Sequence, residues 1–189
     1  MKRDLGAYTL KLDRWIDAQT CQTAVSALAD LAWVPHAYTD GDAAAAVSVN
    51  GERELDVAYC GDREINAAIM RKIVEATRFY TVAMRLPWLA APRHHSLVRY
   101  NRYGPEQLML EHCDHIQSLF EGGDKGVPIL SCLIQLNEDY EGGDLVFWQD
   151  EVIPMGAGTA LVFPSNFLFP HRVAPVLSGL RYSCVSWAW

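Results

Sequence analysis

The first third of the chain has apolar residues at the spacing of an amphipathic helix. The pattern predicts two helices, one capped by Thr20 and ended by Pro35, the other begun near Asp62 and ended by Pro87. Between them, residues 45–49 predict a short strand followed by an Asn-Gly turn. The apolar positions of the two predicted helices are Val25, Leu28, Leu31, Ala32, Ile65, Ile69, Ile73, Val74 and Phe79.

From about Ser96 the pattern changes to short apolar runs separated by Gly, Pro, Asn and Ser. Many short strands at close spacing predict an all-β sandwich or barrel. Two helices packed against one face of it would give an α+β fold that is mainly β. The predicted strands are residues 96–103, 128–136, 145–148, 159–163, 171–176 and 182–189.

The chain length of 189 residues favours a single domain. Half of the residues are hydrophobic, so a chain of this size can bury a core without disulfides or a structural metal. The change of pattern divides the domain into an N-terminal supporting region, residues 1–95, and a β core, residues 96–189. Oligomeric state is left open by the sequence.

Charge and cysteine usage narrow the class of protein. The net charge of −7 argues against a nucleic-acid partner, because phosphate binding draws on clustered Lys and Arg. The five cysteines are odd in number and form no C-x-x-C pair, as expected of a reduced intracellular protein. Neither a signal peptide nor a membrane-spanning stretch is visible, so we expect a cytoplasmic protein without a membrane partner.

The candidate chemistry begins with the sequence His112-Cys113-Asp114. Residues two apart on a strand point to the same face, so one imidazole and one carboxylate can reach one metal ion. His171 opens a later predicted strand and offers a second imidazole. Two histidines and one carboxylate form the facial triad of non-haem Fe(II) oxygenases, which leaves coordination positions open. The triad predicts an iron site, although an H-x-D pair alone is a weak signal.

A second set of residues suits a small dicarboxylic acid. Arg181 lies ten residues after His171, and Ser183 shares its strand face. A guanidinium beside a hydroxyl can hold a carboxylate through charge-assisted hydrogen bonds. Asn101 and Tyr103 share one face of an earlier strand and could donate to the same acid. For Asn101, a bond to nearby backbone groups is the alternative.

Six segments in order carry a family resemblance that covers about half of the chain. Together they resemble the Fe(II)/2-oxoglutarate oxygenases, and most closely the prolyl 4-hydroxylase-like branch. The segments are Tyr100-Asn-Arg-Tyr-Gly-Pro105, His112-x-Asp114, Leu136-Asn-Glu-Asp-Tyr-Glu-Gly-Gly-Asp-Leu145, Gly158-Thr-Ala-Leu-Val-Phe-Pro-Ser165, His171-Arg-Val-Ala-Pro-Val176 and Gly179-Leu-Arg-Tyr-Ser183.

The resemblance implies a fold, ligands and cofactors. The fold would be a double-stranded β-helix (a jelly-roll, cupin-like core) at residues 96–189, with supporting N-terminal helices. Fe(II) would be held by the triad, and 2-oxoglutarate and O₂ would react there, with ascorbate as a candidate accessory reductant. Arg181 would bind the C5 carboxylate of 2-oxoglutarate. The implied residues are His112, Asp114 and His171 for the metal, and Arg181, Tyr103, Asn101 and Ser183 for the cosubstrate.

Three details refine this resemblance. Collagen-type prolyl hydroxylases usually carry Lys in place of Arg181, so a collagen substrate cannot be carried over. The Asn-x-Tyr spacing at Asn101 and Tyr103 also resembles AlkB-type nucleic-acid demethylases, but their second C-terminal arginine is not found after Arg181. Halogenating relatives replace the carboxylate of Asp114 with a small residue, so its presence favours hydroxylation.

The resulting hypothesis is a dioxygenase that hydroxylates an amino-acid side chain, free or in a peptide or protein, and releases succinate and CO₂. An AlkB-like nucleobase oxygenase and a non-catalytic metal-binding relative are the alternatives. The loop from Ser118 to Val127 is either a lid over the site or a plain exposed loop. Trp148, Trp187 and Trp189 are interpreted as core residues.

Overall fold

The computed structural model describes residues 4–39, 46–47, 53–114 and 126–189. Two α-helices lie in this part of the chain: α1 (Ala18–Leu28) and α2 (Arg63–Ala83). A short 3₁₀ helix, Leu5–Ala7, precedes them. Neither α-helix is both long and apolar enough to cross a bilayer.

The ends of the helices follow capping chemistry. Helix α2 begins next to Asp62, near its predicted start, and Asp62 accepts hydrogen bonds from the first-turn amides of the helix. The predicted cap of α1 was wrong, because Asp17 takes that place and accepts from the amide and hydroxyl of Thr20. Helix α1 also ends at Leu28, well before Pro35, so Leu31 lies outside it.

Short strands make up most of the remaining structure. The six predicted runs all contain strands, but the strands are shorter and several more were missed, since two- and three-residue strands show little alternation. The strands are β1 (Leu10–Leu12), β2 (Val34–Pro35), β3 (Tyr38–Thr39), β4 (Ala46–Val47), β5 (Asp56–Ala58), β6 (Arg99–Tyr103), β7 (Met109–His112), β8 (Leu130–Gln135), β9 (Tyr140–Gly142), β10 (Leu145–Phe147), β11 (Glu151–Ile153), β12 (Ala160–Pro164), β13 (His171–Val173), β14 (Val176–Gly179) and β15 (Arg181–Ala188).

Two antiparallel sheets build the scaffold. The larger has the strand order β1-β12-β8-β15-β6-β5-β2, and the smaller has the order β11-β10-β13-β7. Two-stranded pairs, β14-β9 and β3-β4, complete the described sheets. Strands β1, β2 and β5 come from the N-terminal region, so this region adds to the large sheet as well as supplying helices.

The two faces of the large sheet bury different sets of residues. One face packs against α1 and α2, where Ile69, Ile73 and Ala76 meet Ile134 and Val162. The other face meets the small sheet. In that second core the ring centroids of Phe147 and Phe163 are 5.0 Å apart in an edge arrangement. Because strand residues alternate between faces, odd-numbered positions of β6, β8, β12 and β15 face the space between the sheets.

Candidate active site

The small sheet brings the two predicted histidines together. His112 ends β7 and His171 begins β13, and the two residues are directly paired in the antiparallel register. Their ring centroids are 4.4 Å apart. Asp114 lies two residues beyond β7. Its Oδ1 is 3.6 Å from Nε2 of His112 and 3.9 Å from Nε2 of His171. One donor atom from each residue lies within 4.8 Å of the others, which suits a single ion.

Backbone carbonyls orient both imidazoles. Nδ1 of His112 lies 2.8 Å from the carbonyl oxygen of Leu110, and Nδ1 of His171 lies 3.1 Å from that of Phe169. A carbonyl only accepts, so each Nδ1 carries the proton and donates it. This tautomer leaves the Nε2 lone pairs free to face Asp114, which is the form a metal ligand requires.

A buried serine pair holds the carboxylate. The hydroxyl of Ser131 on β8 donates to Oδ2 of Asp114. The Ser131 hydroxyl oxygen is also 2.8 Å from that of Ser165, which follows β12. Because Oδ2 is engaged on the large-sheet side, Oδ1 is left facing the two imidazoles. Neither serine was predicted, although a polar residue near the start of the mainly apolar strand β8 was an available signal.

Burial sets the protonation states of this cluster. Burial lowers the pKa of His171 to about 4, although the adjacent Asp114 raises it. Burial raises the pKa of Asp114. The opposing interactions are stronger and hold this pKa below the usual range; they come from His171, His112 and the Ser131 hydroxyl. At neutral pH the cluster therefore has a carboxylate beside a neutral His171, as metal binding requires.

Arg181 occupies the other end of the space between the sheets. Its side chain is 1% exposed, and Nε and Nη2 have no hydrogen-bond partner among the described residues. Gly143, at a φ of +66°, leaves room for it, since a Cβ there would lie 2.8 Å from Cδ of Arg181. A buried guanidinium with unmet donors is costly. This arrangement fits a carboxylate ligand that the chain itself does not supply.

The register of β15 with β6 brings the other predicted residues to Arg181. Tyr103 is paired with Arg181, and Asn101 with Ser183, on one face of the sheet. The guanidinium carbon lies 4.9 Å from the Tyr103 ring centroid, and burial raises the pKa of the Tyr103 phenol, which stays a neutral donor. Nη1 of Arg181 is 3.3 Å from the Ser183 hydroxyl oxygen, so Ser183 contacts the arginine directly.

Asn101 has a partner that the sequence did not suggest. Its Oδ1 accepts from Nε of Arg99 at 3.1 Å, so only its amide NH₂ remains to donate to a ligand. Arg99 also lies against the indole of Trp187, with the guanidinium carbon 4.8 Å from the ring centroid. The interpretation of Trp187 as a core residue was incomplete, because it is buried but lines the cavity of the triad.

One cavity contains the triad and reaches Tyr103, the residue whose ring lies against Arg181. Its walls include the three residues of the candidate triad together with Tyr103, Asn101 and Arg99 from the large sheet. The predicted lid at residues 118–127 lies almost wholly outside the described residues, which begin again at Gly126.

The residues present fit both groups that the resemblance implies. Two imidazoles and a carboxylate, each fixed by a hydrogen bond, form a donor set suited to Fe(II). The unmet donors of Arg181 fit one carboxylate of 2-oxoglutarate.

Comparison with known proteins agrees with this geometry. The sequence profile of the 2OG-Fe(II) oxygenase superfamily matches residues 98–189. A PKHD-type hydroxylase of Caulobacter vibrioides is 30% identical over 161 residues, which is 82% of this chain. The chain spans 66% of that relative's length, just under two thirds.

Solved structures give the same fold. A Pseudomonas putida prolyl-4-hydroxylase matches with a TM-score of 0.67 at 18% identity, covering 98% of this chain and 94% of its own. A Trichoplax adhaerens prolyl hydroxylase, solved with a hypoxia inducible factor oxygen degradation domain peptide fragment, matches with a TM-score of 0.68 at 16% identity. That match covers 97% of this chain and 84% of the Trichoplax chain.

The fold and the matches define the class. Residues 98–189 match the 2OG-Fe(II) oxygenase superfamily. Relatives of the chain include PKHD-type hydroxylases, and its structural neighbours include prolyl 4-hydroxylases. The predicted fold class, a mainly β double-stranded β-helix core with N-terminal helices, is confirmed. This match and the His112, Asp114 and His171 triad imply Fe(II) and 2-oxoglutarate as the cofactors.

Proposed function

We propose that this protein is an Fe(II)- and 2-oxoglutarate-dependent hydroxylase that acts on an amino-acid residue within a peptide or protein. The balanced reaction consumes the substrate C–H bond, O₂ and 2-oxoglutarate, and yields the C–OH product, succinate and CO₂. One observation carries the proposal. A triad of oriented donors lines an interior cavity, and a buried arginine with unmet hydrogen bonds lies against Tyr103, which is part of the wall of that cavity.

Each residue has a defined task in this proposal. His112, Asp114 and His171 hold the metal on one face of the cavity, which leaves its remaining positions for the cosubstrate and O₂. Arg181 binds the far carboxylate of 2-oxoglutarate, with Ser183 orienting the guanidinium and Tyr103 donating from its neutral phenol. Asn101 offers its amide NH₂ to the same ligand. When bound, iron and 2-oxoglutarate supply the oxidative chemistry that inserts the oxygen atom.

The protein also protects this chemistry from water. Phe147, Phe163 and Leu145 are almost fully buried around His171, and both phenylalanine rings lie within 5.1 Å of its imidazole. An apolar surround of this kind strengthens the electrostatic contacts inside the site and limits side reactions.

A peptide substrate is favoured over the alternatives by the relatives. The Trichoplax neighbour was solved with a peptide fragment, and the Pseudomonas neighbour is a prolyl-4-hydroxylase. The net charge of −7 gives no general support for binding nucleic acid.

Succinate release tests the proposal. Protein loaded with Fe(II), 2-oxoglutarate and ascorbate would be incubated with proline-containing peptides, free amino acids or oligonucleotides, and the product would be located by mass spectrometry. We expect stimulated succinate release and a gain of one oxygen atom with peptides. Asp114→Ala protein is the control for metal-dependent turnover. Stimulation by oligonucleotides alone, or failure to bind Fe(II) and 2-oxoglutarate, would contradict the proposal.

A further inference from the structure

Met109 places a thioether in the wall of the active-site cavity. Its side chain is 4% exposed and lines the cavity together with the three residues of the candidate triad. Met109 opens β7, the strand that ends at the metal donor His112. Among the described side chains that line this cavity, that of Met109 alone carries sulfur, and the proposed hydroxylation gives it no task.

A β-bulge turns Met109 toward the metal donors. Residues three apart on a regular strand point to opposite faces, so Met109 and His112 would not ordinarily share one. Met109 is paired with Val173 of β13. The next pair is His112 with His171, so three steps along β7 oppose two steps along β13. This irregular register lets Met109 and His112 both face the cavity, while the two residues between them are exposed.

The bulge also brings the thioether close to the metal site. Val173 and His171 are two residues apart on β13, which corresponds to about 7 Å at strand spacing. Their partners on β7, Met109 and His112, are therefore separated by a similar distance along the sheet. The methionine side chain is unbranched and flexible, so its sulfur can approach an oxidising centre held by the triad.

The thioether is the most readily oxidised group among the aliphatic side chains of this wall. Its sulfur lone pair accepts an oxygen atom directly and gives a sulfoxide. The other aliphatic side chains of the wall include Leu133, Leu145 and Val173, which offer only C–H bonds that must first be broken. When no substrate C–H bond lies beside the metal donors, the sulfur is therefore the favoured oxygen acceptor among them.

We propose that the enzyme oxidises Met109 to methionine sulfoxide when no substrate occupies the cavity. The inference rests on the proposed function, because 2-oxoglutarate and O₂ supply the oxidising power. The sulfur and 2-oxoglutarate are each oxidised by one electron pair, and O₂ accepts both pairs. One oxygen atom forms the S–O bond. The other enters succinate as the C1–C2 bond of 2-oxoglutarate breaks and CO₂ leaves, with no net proton transfer. The sulfoxide places a polar group in an apolar wall, so the oxidised protein should turn over more slowly.

Burial separates this modification from damage by dissolved oxidants. The other methionines in the described part of the chain, Met70, Met84 and Met155, are half-buried and therefore more accessible than Met109. Hydrogen peroxide in the solvent should reach these methionines before it reaches Met109. Oxidation from inside the cavity should give the opposite order.

Peptide mapping by mass spectrometry after turnover under ¹⁸O₂ tests the proposal. Protein incubated with Fe(II), 2-oxoglutarate and ascorbate, but no substrate, should gain one ¹⁸O atom at Met109. We expect a yield at least about tenfold greater than at the half-buried methionines. Omission of 2-oxoglutarate, or the Asp114→Ala substitution, should leave Met109 unoxidised. Hydrogen peroxide added to the metal-free protein should instead oxidise the half-buried methionines first.

Failure of this inference and failure of the proposed function give different results. If the protein releases succinate but Met109 stays unoxidised, the inference is overturned while the proposed function stands. Equal oxidation of Met109 with and without 2-oxoglutarate would overturn it in the same way. A protein that neither binds Fe(II) and 2-oxoglutarate nor releases succinate would overturn both.

The time course of succinate release without substrate gives a second readout. Met109→Leu removes the sulfur but nearly conserves the side-chain volume, so release should persist at least about fivefold longer than in the original protein. Met155→Leu removes a half-buried thioether that packs against the same core between the sheets, and its release should decline at the original rate. An unchanged decline in Met109→Leu would contradict the inference.

Discussion

The two ends of the space between the sheets satisfy their polar groups in opposite ways. At the metal end each ligand residue has a protein partner on the side away from the others: Leu110 and Phe169 carbonyls for the imidazoles, and Ser131 for the carboxylate. At the other end, Nε and Nη2 of Arg181 have no partner among the described residues. The protein alone orients the metal donors, whereas the arginine end is completed only by a ligand.

The metal end is preorganised by the protein, whereas the arginine end is arranged to recognise a ligand. Donors that must point at one ion are held by short hydrogen bonds, because a misdirected imidazole or carboxylate would lose the metal. A guanidinium that must release and rebind a small acid in each turnover is left with open donors, and the folded protein bears the desolvation cost until the acid returns. The substitutions and the pH change that follow affect the metal end and the arginine end separately.

The largest effect is expected from Asp114→Ala. Removing the only carboxylate of the donor set should reduce metal affinity by more than about a hundredfold and abolish succinate release. Calorimetric titration with Mn(II) and the turnover assay would measure these losses. Glu111→Ala, which removes an exposed carboxylate from β7, the strand just before Asp114, is the matched control and should retain both.

Arg181→Met should weaken 2-oxoglutarate binding by about thirtyfold, because a buried charged partner of its carboxylate is lost. In the absence of 2-oxoglutarate the same variant should be at least as stable as the original, since it removes unmet buried donors. Calorimetry and urea unfolding would measure the two effects. Arg102→Met, which removes an arginine paired with Asp56 on the opposite face, should leave 2-oxoglutarate binding intact. If Arg181→Met is markedly less stable than the original protein in the absence of 2-oxoglutarate, the guanidinium of Arg181 is not an unsatisfied buried group.

Ser131→Ala removes the donor to Oδ2 of Asp114 without touching the metal directly. Loss of such a supporting hydrogen bond typically costs ten- to a hundredfold in metal affinity, and we expect about tenfold here. Ser186→Ala removes another buried hydroxyl, one bonded to the Ser96 carbonyl, and should leave metal affinity unchanged. Equal affinities in the two variants would mean that Ser131 does not orient the carboxylate.

The last effect is a pH dependence of the metal-free protein, and it concerns stability and not ligand affinity. Burial lowers the pKa of His171 from 6.5 to about 4, so between these values the unfolded chain binds a proton that the folded protein does not. The free energy of unfolding should therefore fall with decreasing pH across this window, by at most about 1.4 kcal/mol per pH unit. Urea unfolding at several pH values would measure the slope, and His171→Gln should reduce it. If His171→Gln shows the same slope of unfolding free energy against pH, other titrating groups cause the dependence.

Local pattern was sufficient for much of the fold. Helix α2 was predicted from its apolar spacing, with a start near Asp62, and the strands of the β core from short runs between turn residues. Capping is less reliable where two suitable residues compete, as at Asp17 and Thr20. The two-residue strand β2 was missed, because so short a segment pairs through its backbone and leaves no alternation to read.

By itself, the sequence determined the family, and with it the candidate metal and cosubstrate residues, since the ordered motifs fix residue types at strand ends. Only the tertiary structure decided what surrounds them. Sheet register pairs His112 with His171 and Trp187 with Ser131, and the packing of the two sheets brings the Ser131 hydroxyl to Asp114. These contacts join residues far apart in the chain. Local spacing does not show which distant side chains will form hydrogen bonds and which will be left without a partner.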